Sequence, residues 1–140
     1  MKNIIGPFEG KYEFLSNFFM IDIEYNGIIF RSTEHAYQAM KASNFEDMML
    51  VANAETPGQC KRIGRKIKMR PDWEVAKFRI MKDVCRVKFS NPEMKKLLLE
   101  TGDAELIEIN NWNDVTWGQV DGVGENHLGR ILMELRNDLI

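Results

Sequence analysis

Ile21-Asp22-Ile23-Glu24-Tyr25-Asn26-Gly27-Ile28-Ile29-Phe30-Arg31-Ser32-Thr33-Glu34 is the stretch that decides the architecture. Residues 21–25 alternate apolar and polar, Asn26-Gly27 interrupts, and Ile28-Ile29-Phe30 resumes. A two-residue turn of the primed type needs positive φ at both central positions, which Asn-Gly supplies, so a β-hairpin is expected here. Ser32-Thr33-Glu34 then reads as a helix start, with a hydroxyl cap and an acid in the first turn. That helix is expected to end near Ala42 or Ser43.

Working outward, further helices are expected at about 46–53, 57–67, 73–89 and 92–100, with Pro57 and Pro92 in first turns. Glu105-Leu106-Ile107-Glu108-Ile109 reads as a short strand. Residues 110–126, with Gly118, Gly122, Gly124 and several Asn and Asp, read as a long loop, a kind of segment that often carries function. From His127 to Leu139 a last helix aligns Leu128, Ile131, Leu132, Leu135 and Leu139 on one face. The class is mainly α (α+β): a single compact domain, residues 1–140, of helices with a small β-hairpin and short strands.

Composition bounds the possibilities. The chain has 140 residues, 44% apolar and 29% charged, close to the globular average, so disorder is not its main state. Two cysteines, Cys60 and Cys85, exclude a disulfide scaffold and a four-thiolate zinc site. They read as small packed hydrophobes. No apolar run approaches the roughly 20 residues of a membrane span. The opening Met1-Lys2-Asn3-Ile4-Ile5-Gly6-Pro7 breaks off too early for a secretory signal, so a soluble, reduced, cytoplasmic protein without membrane partners is expected. The sequence sets no oligomeric state.

The net charge of −2 conceals three blocks: −4 over residues 1–60, +9 over 61–99 and −7 over 100–140. Lys61, Arg62, Arg65, Lys66, Lys68 and Arg70 form the densest basic run. Such a run attracts phosphate, on a nucleotide or on nucleic acid; equally, it can be a basic face that docks against the acidic segment.

At 100° per residue, Glu34, Gln38 and Lys41 fall within about 60° of one another on the first helix. A carboxylate, an amide and an amine in one stripe describe either a solvated face or a site. His35 reads as a packed, satisfied histidine. With His127 the only other histidine, neither a metal site nor a cofactor is expected. Phe14-Leu15-Ser16-Asn17-Phe18-Phe19 and Asn113-Asp114-Val115-Thr116-Trp117-Gly118 set aromatic rings beside Ser, Asn and Asp. That chemistry can stack a flat base while reading its edge or a ribose hydroxyl, or it can be core plus turn.

These residues resemble, in order, the YbiA-like family, also called NADAR (NAD- and ADP-ribose-associated). The resemblance runs from Phe14-Leu15-Ser16-Asn17-Phe18 through the hairpin to Thr33-Glu34-His35-Ala36-Tyr37-Gln38-Ala39-Met40-Lys41. It continues over Ala54 to Arg65 and the helix from Trp73 to Lys88-Phe89. It closes with Asp114, Trp117-Gly118, Gly124, Asn126, Leu128-Gly129 and Leu132-Met133-Glu134-Leu135-Arg136. No single piece is specific, but the ordered set is.

The resemblance implies the mostly helical YbiA-like fold and an N-glycosidase cleaving a bond between ribose C1′ and nitrogen. Two substrate classes are associated with the family: ribosylamino-pyrimidine 5′-phosphates of early riboflavin synthesis, and ADP-ribose attached to guanine in nucleic acid. The chain departs from the family pattern in the acidic loop 118–124, at Asn110-Asn111-Trp112, and at His127, where the family's namesake has an arginine. These departures bear on substrate choice more than on the chemistry.

Cleaving a C1′–N bond builds positive charge on the ribose, which a preorganised carboxylate stabilises. Glu34 is the first candidate and Asp114 its partner, one activating water and the other handling the proton. Lys41 has two readings: a cation that binds phosphate or orients Glu34, or a nucleophile that attacks C1′, opens the ribose and forms a Schiff base. For binding, Arg62 and Arg65 suit phosphate, Ser16, Asn17, Gln38 and Asn126 suit ribose or base edges, and Phe18, Trp112 and Trp117 suit stacking. The competing expectations are a non-catalytic ADP-ribose or NAD reader, and a nucleic-acid-binding domain built on residues 61–70.

Overall fold

Asn26 and Gly27 take φ of 52° and 77°, the left-handed pair that a primed turn requires. The hairpin they close belongs to a computed structural model that describes residues 3–140. In chain order its elements are β1 (Ile4–Ile5), a 3-10 helix (Gly10–Leu15), β2 (Ile23–Tyr25), β3 (Ile28–Phe30), α1 (Thr33–Met40), α2 (Phe45–Ala52), α3 (Pro57–Gly64), α4 (Trp73–Lys88), α5 (Pro92–Glu100), β4 (Glu105–Leu106) and α6 (His127–Asp138). The fold is mainly α with short strands, as the sequence patterns imply. Met1 and Lys2, which open the stretch read against a secretory signal, lie outside the described residues. Among the described residues, no helix is long and apolar enough to cross a membrane.

The chain divides into two units. One is Asn17–Lys88; the other joins the residues through Ser16 to Phe89–Ile140.

In the first unit, β2 and β3 pair antiparallel with Ile23 opposite Phe30 and Tyr25 opposite Ile28. α1 is the centre, with α2, α3 and α4 packed around it. All eight of its residues are buried. Ala36 and Ala39, both fully buried, let the neighbouring helices approach closely. Ser32 caps the helix, accepting from the His35 N–H at 3.1 Å; such a cap contributes ~1 kcal/mol. Asn44 and Thr56 cap α2 and α3 in the same way. α1 ends sooner than its periodicity predicts because another strand of backbone claims its last residues. The Lys41 carbonyl accepts from the Arg70 N–H at 2.9 Å, and the Ser43 N–H donates to the Lys68 carbonyl at 3.1 Å. α3 likewise stops at Gly64 rather than 67.

Lys88 closes α4 fully buried, its ammonium 5.6 Å from the centre of the Phe19 ring. Burial pushes its pKa down to about 8. Both cysteines are free and buried, as read.

In the second unit, β1 pairs parallel with β4, Ile4 to Glu105 and Ile5 to Leu106. The strand expected over 105–109 keeps only its first two residues as strand, and β1 and the 3-10 helix were not legible at all. Two residues carry no period, and pairing across this sequence distance leaves no local signal. α6 buries Leu128, Ile131, Leu132 and Leu135 as the periodicity predicts. The long loop exists but is pinned: the Asn110 N–H reaches the Gln119 carbonyl at 3.0 Å, the Gln119 N–H reaches Glu108 at 2.9 Å, and Val120 bridges Val123.

Candidate active site

The polar stripe of α1 is not a solvated face. Glu34 is 6% exposed and Gln38 8%, so two polar side chains lie in the interior of a packed helix. An unpartnered buried polar group costs about 1–3 kcal/mol, so their partners matter. The Gln38 Nε2 donates to Glu34 Oε1 at 3.0 Å. The backbone of Glu34 is fixed from two sides: its N–H donates to the Asn17 carbonyl at 3.2 Å, and its carbonyl accepts from Cys60 Sγ at 3.5 Å.

Lys41 stands at the end of α1, half-buried. Its pKa is lowered, first by burial. The cations Arg65 and Lys77 push it the same way, while Glu74 and Glu34 pull it back. The pattern is that of an amine with an increased neutral fraction, the form a nucleophile requires. α1, α3 and α4 thus each contribute charge around one nitrogen.

His35 is the satisfied histidine the sequence implied. Its Nε2 lies 3.0 Å from the Ala54 carbonyl, which can only accept, so Nε2 carries the proton. Nδ1 faces Ser32 Oγ at 2.7 Å. Burial is the main force lowering its pKa, which favours the neutral ring.

Asn17 is buried, and its side chain is engaged within the protein. Its Oδ1 accepts from Thr33 Oγ1 at 2.8 Å and its Nδ2 donates to Met81 Sδ at 3.3 Å. It anchors the start of α1, with Phe18 beside it. The Phe18 ring is 45% exposed, so it is not core, and the Lys61 ammonium lies 6.0 Å from its centre. Arg62 and Arg65 are exposed near the end of α3. Of the basic run, Arg70 is engaged by Asp72 through two contacts of 2.6 and 2.9 Å. Arg62, Arg65, Lys66 and Lys68 form no ion pair among the described residues.

The remaining candidates lie in the other unit. Ser16 ends the 3-10 helix, its N–H donating to the Glu13 carbonyl at 2.9 Å. Asp114 Oδ1 accepts from the Thr116 and Trp117 N–H groups at 3.2 and 2.9 Å, holding its own turn. Asn110 supports that turn, donating to the Asp114 carbonyl at 2.9 Å and accepting from its N–H at 3.0 Å. Asn126 is buried with φ of 53°. Its side chain accepts from the Glu108 N–H at 3.0 Å and donates to the Leu106 carbonyl at 2.9 Å, tying the loop's end to β4. Trp117 meets His127 edge to face, centroids 6.2 Å apart, while Trp112 is 55% exposed.

The NADAR domain family matches residues 6–140. The chain belongs to the NADAR family. The chain is 35% identical over 132 residues to the N-glycosidase YbiA of Escherichia coli (strain K12), covering 91% of this chain and 82% of that protein. A riboflavin biosynthesis protein of Vibrio vulnificus (strain YJ016) is 40% identical over 133 residues, 90% of this chain; the match spans only 35% of that longer protein. The NMR structure of the E. coli protein YbiA superposes with a TM-score of 0.86 at 34% identity, covering 99% of this chain and 86% of that one.

Within this NADAR chain, sequence reasoning missed Gly64, Cys60, Glu108 and Asn110 as contributors to the geometry. Gly64 had a signal: a glycine in the last turn of a helix, amid residues that favour helix, marks a packing constraint. The other three had none, because their partners are remote in sequence or reached through backbone atoms.

Proposed function

We propose that this chain is an N-glycosidase that hydrolyses the C1′–N bond of a phosphorylated N-riboside, with ribosylamino-pyrimidine 5′-phosphates as its substrate class. The observation that carries this reading is the buried Glu34, held by Gln38 on the same helix that ends in Lys41. The names of the relatives, N-glycosidase and riboflavin biosynthesis protein, support both the reaction and the substrate class. In the reaction the electron pair of the C1′–N bond leaves with the nitrogen, which takes up a proton, and the oxygen of water becomes bonded to C1′. Glu34 stabilises the positive charge that develops on the ribose. Lys41, with its lowered pKa, acts directly at C1′. Arg62 and Arg65 take the phosphate, and Phe18 offers a ring face to the heterocycle. The family match runs through both units, in keeping with one functional domain. Two buried free thiols suit a reducing compartment, and we place the protein in the cytoplasm.

A second reading, ADP-ribose on guanine in nucleic acid, is favoured by one observation: the exposed, ion-pair-free cations Arg62, Arg65, Lys66 and Lys68. Purified protein incubated with each substrate class, with release of base or sugar phosphate followed by mass spectrometry, tests the two readings. Release from the pyrimidine alone is the expected result. Release from DNA alone, with steep salt dependence, would move the assignment to nucleic acid. Tight ADP-ribose binding with neither cleavage would make the protein a reader.

Arg65→Ala is expected to raise KM for the phosphorylated riboside about tenfold, as loss of a charge-assisted contact does. KM for the dephosphorylated riboside should stay unchanged. Equal KM changes for both substrates would place the phosphate elsewhere.

A further inference from the structure

Gln38 Oε1 is the one buried side-chain nitrogen or oxygen without a hydrogen-bond partner among the described residues. The orientation that orphans it is the one an ionised Glu34 requires. A carboxylate offers acceptors and no donor when ionised, so the amide must turn its NH2 towards Glu34, and its oxygen must face the other way. What it faces is Gly64. A Cβ built on Gly64 would overlap Gln38 Oε1 and would sit 2.9 Å from Gln38 Cδ; its three nearest atoms all belong to the Gln38 side chain.

Nothing in the backbone asks for glycine at this place. Gly64 is not among the residues with positive φ, and it lies within α3, where alanine favours the helix more. The missing side chain is therefore explained by the space Gln38 occupies. An apolar residue of similar length would fill that space with no orphaned oxygen. The protein instead tolerates an unsatisfied oxygen and a helical glycine, and one hydrogen bond to Glu34 is what the arrangement secures. Local rules broken together at one point mark function.

We propose that Gln38, seated by the absent side chain of Gly64, is the positioning residue that holds the Glu34 carboxylate in its ionised, catalytically oriented form. The proposal rests on the N-glycosidase reading for its kinetic consequences but not for its electrostatic one. A donor bonded to the charged form of a carboxylate keeps it charged. Fixing the torsions of Glu34 also spares the reaction their reorganisation. The groups that fix Glu34 come from two helices and a loop: the Asn17 carbonyl that receives its N–H, Cys60 on α3 against its carbonyl, and Gln38 on α1 against its side chain. Gln38 Nε2 bonds the carboxylate oxygen itself, while Lys41 and Cys60 feel its charge and are unchanged in every variant below.

The test uses Gln38→Met and Gly64→Ala in the full chain, singly and combined. Gln38→Met keeps length and removes the donor; Gly64→Ala keeps the donor and removes its seat. Each single variant is expected to lower kcat at least tenfold with KM within twofold, and to shift the acidic limb of the kcat profile to higher pH. The double variant should be no worse than Gln38→Met alone, because both act through one contact. A second readout needs no turnover: the Glu34 carboxyl, followed by carbon-13 NMR against pH, should titrate at higher pH in both single variants.

An unmoved Glu34 titration in folded Gln38→Met protein overturns the proposal, whatever the activity. A Glu34 titration that moves in the variants, while the parent protein cleaves no riboside, supports the positioning role and instead sinks the N-glycosidase reading. Additive losses in the double variant overturn the role given to Gly64. Gln38→Glu is the control for unfolding. It keeps the volume, places a second carboxylate beside Glu34, and should raise the Glu34 titration more than Gln38→Met does; an equal or smaller rise counts against the contact.

Discussion

Glu34→Gln is expected to lower kcat by on the order of 10²- to 10³-fold, the loss typical when a preorganised group opposite a developing charge is removed. That corresponds to about 3–4 kcal/mol of transition-state stabilisation. KM and the melting temperature should change little. The replacement has the same shape, and its amide oxygen can still accept from the Gln38 Nε2, so the buried contact at 3.0 Å survives in kind. Losing the charge, moreover, relieves the desolvation of a carboxylate that is 6% exposed. The selectivity of the effect is the informative part: a large loss of kcat in a protein as stable as the parent isolates the charge as the agent. Turnover within a few-fold of the parent would remove Glu34 from the chemistry.

Lys41→Arg is expected to abolish turnover by a comparable or larger factor, because it retains the positive charge while removing the only nucleophile at this position. Borohydride added during turnover should fix sugar to the parent protein, with a mass increase mapping to Lys41, and should leave the variant unlabelled. Retained activity in Lys41→Arg would exclude the Schiff-base route and leave an electrostatic role. The sign of the pH dependence follows from the surroundings. On the Schiff-base route the nucleophile is the neutral amine, so activity should rise with pH through the pKa of Lys41, which burial, Arg65 and Lys77 hold below its ordinary value against Glu74 and Glu34. Glu74→Gln removes an anion that raises this pKa, so this ascending limb should move to lower pH. A limb that does not move in Glu74→Gln would assign it to another group.

The contrast between α1 and the loop over 110–126 shows what kind of information a sequence carries. The hairpin, the capped start of α1 and the apolar face of α6 were legible because each is a local rule. Positive φ at Asn26-Gly27, a hydroxyl before an acid, and a 3.6-residue period act between near neighbours. Glu34, Gln38 and Lys41 were legible as a stripe for the same reason. The stripe's meaning was not, since a wet face and a buried site have the same period. The family resemblance supplied the chemistry, but it left the environment of each group open. It also left open that Asn17 and Asn126 have their side chains engaged by Thr33, Met81, Glu108 and Leu106.

The sequence by itself determined the helical class, the hairpin and its turn, the helix starts, the face of α6 and the residue types capable of acting on a ribosyl bond. Tertiary structure alone decided that α1 is buried on every side and that α1 gives up its last turn to residues 68–70. It alone decided that burial depresses the pKa of Lys41, with Arg65 and Lys77 adding to that and Glu74 and Glu34 opposing it, and that Gly64 on α3 lies against the amide bonded to Glu34. The reason is physical. Propensity, capping and turn chemistry act over a few residues, whereas desolvation and close packing depend on which surfaces, distant along the chain, come to exclude water from one another.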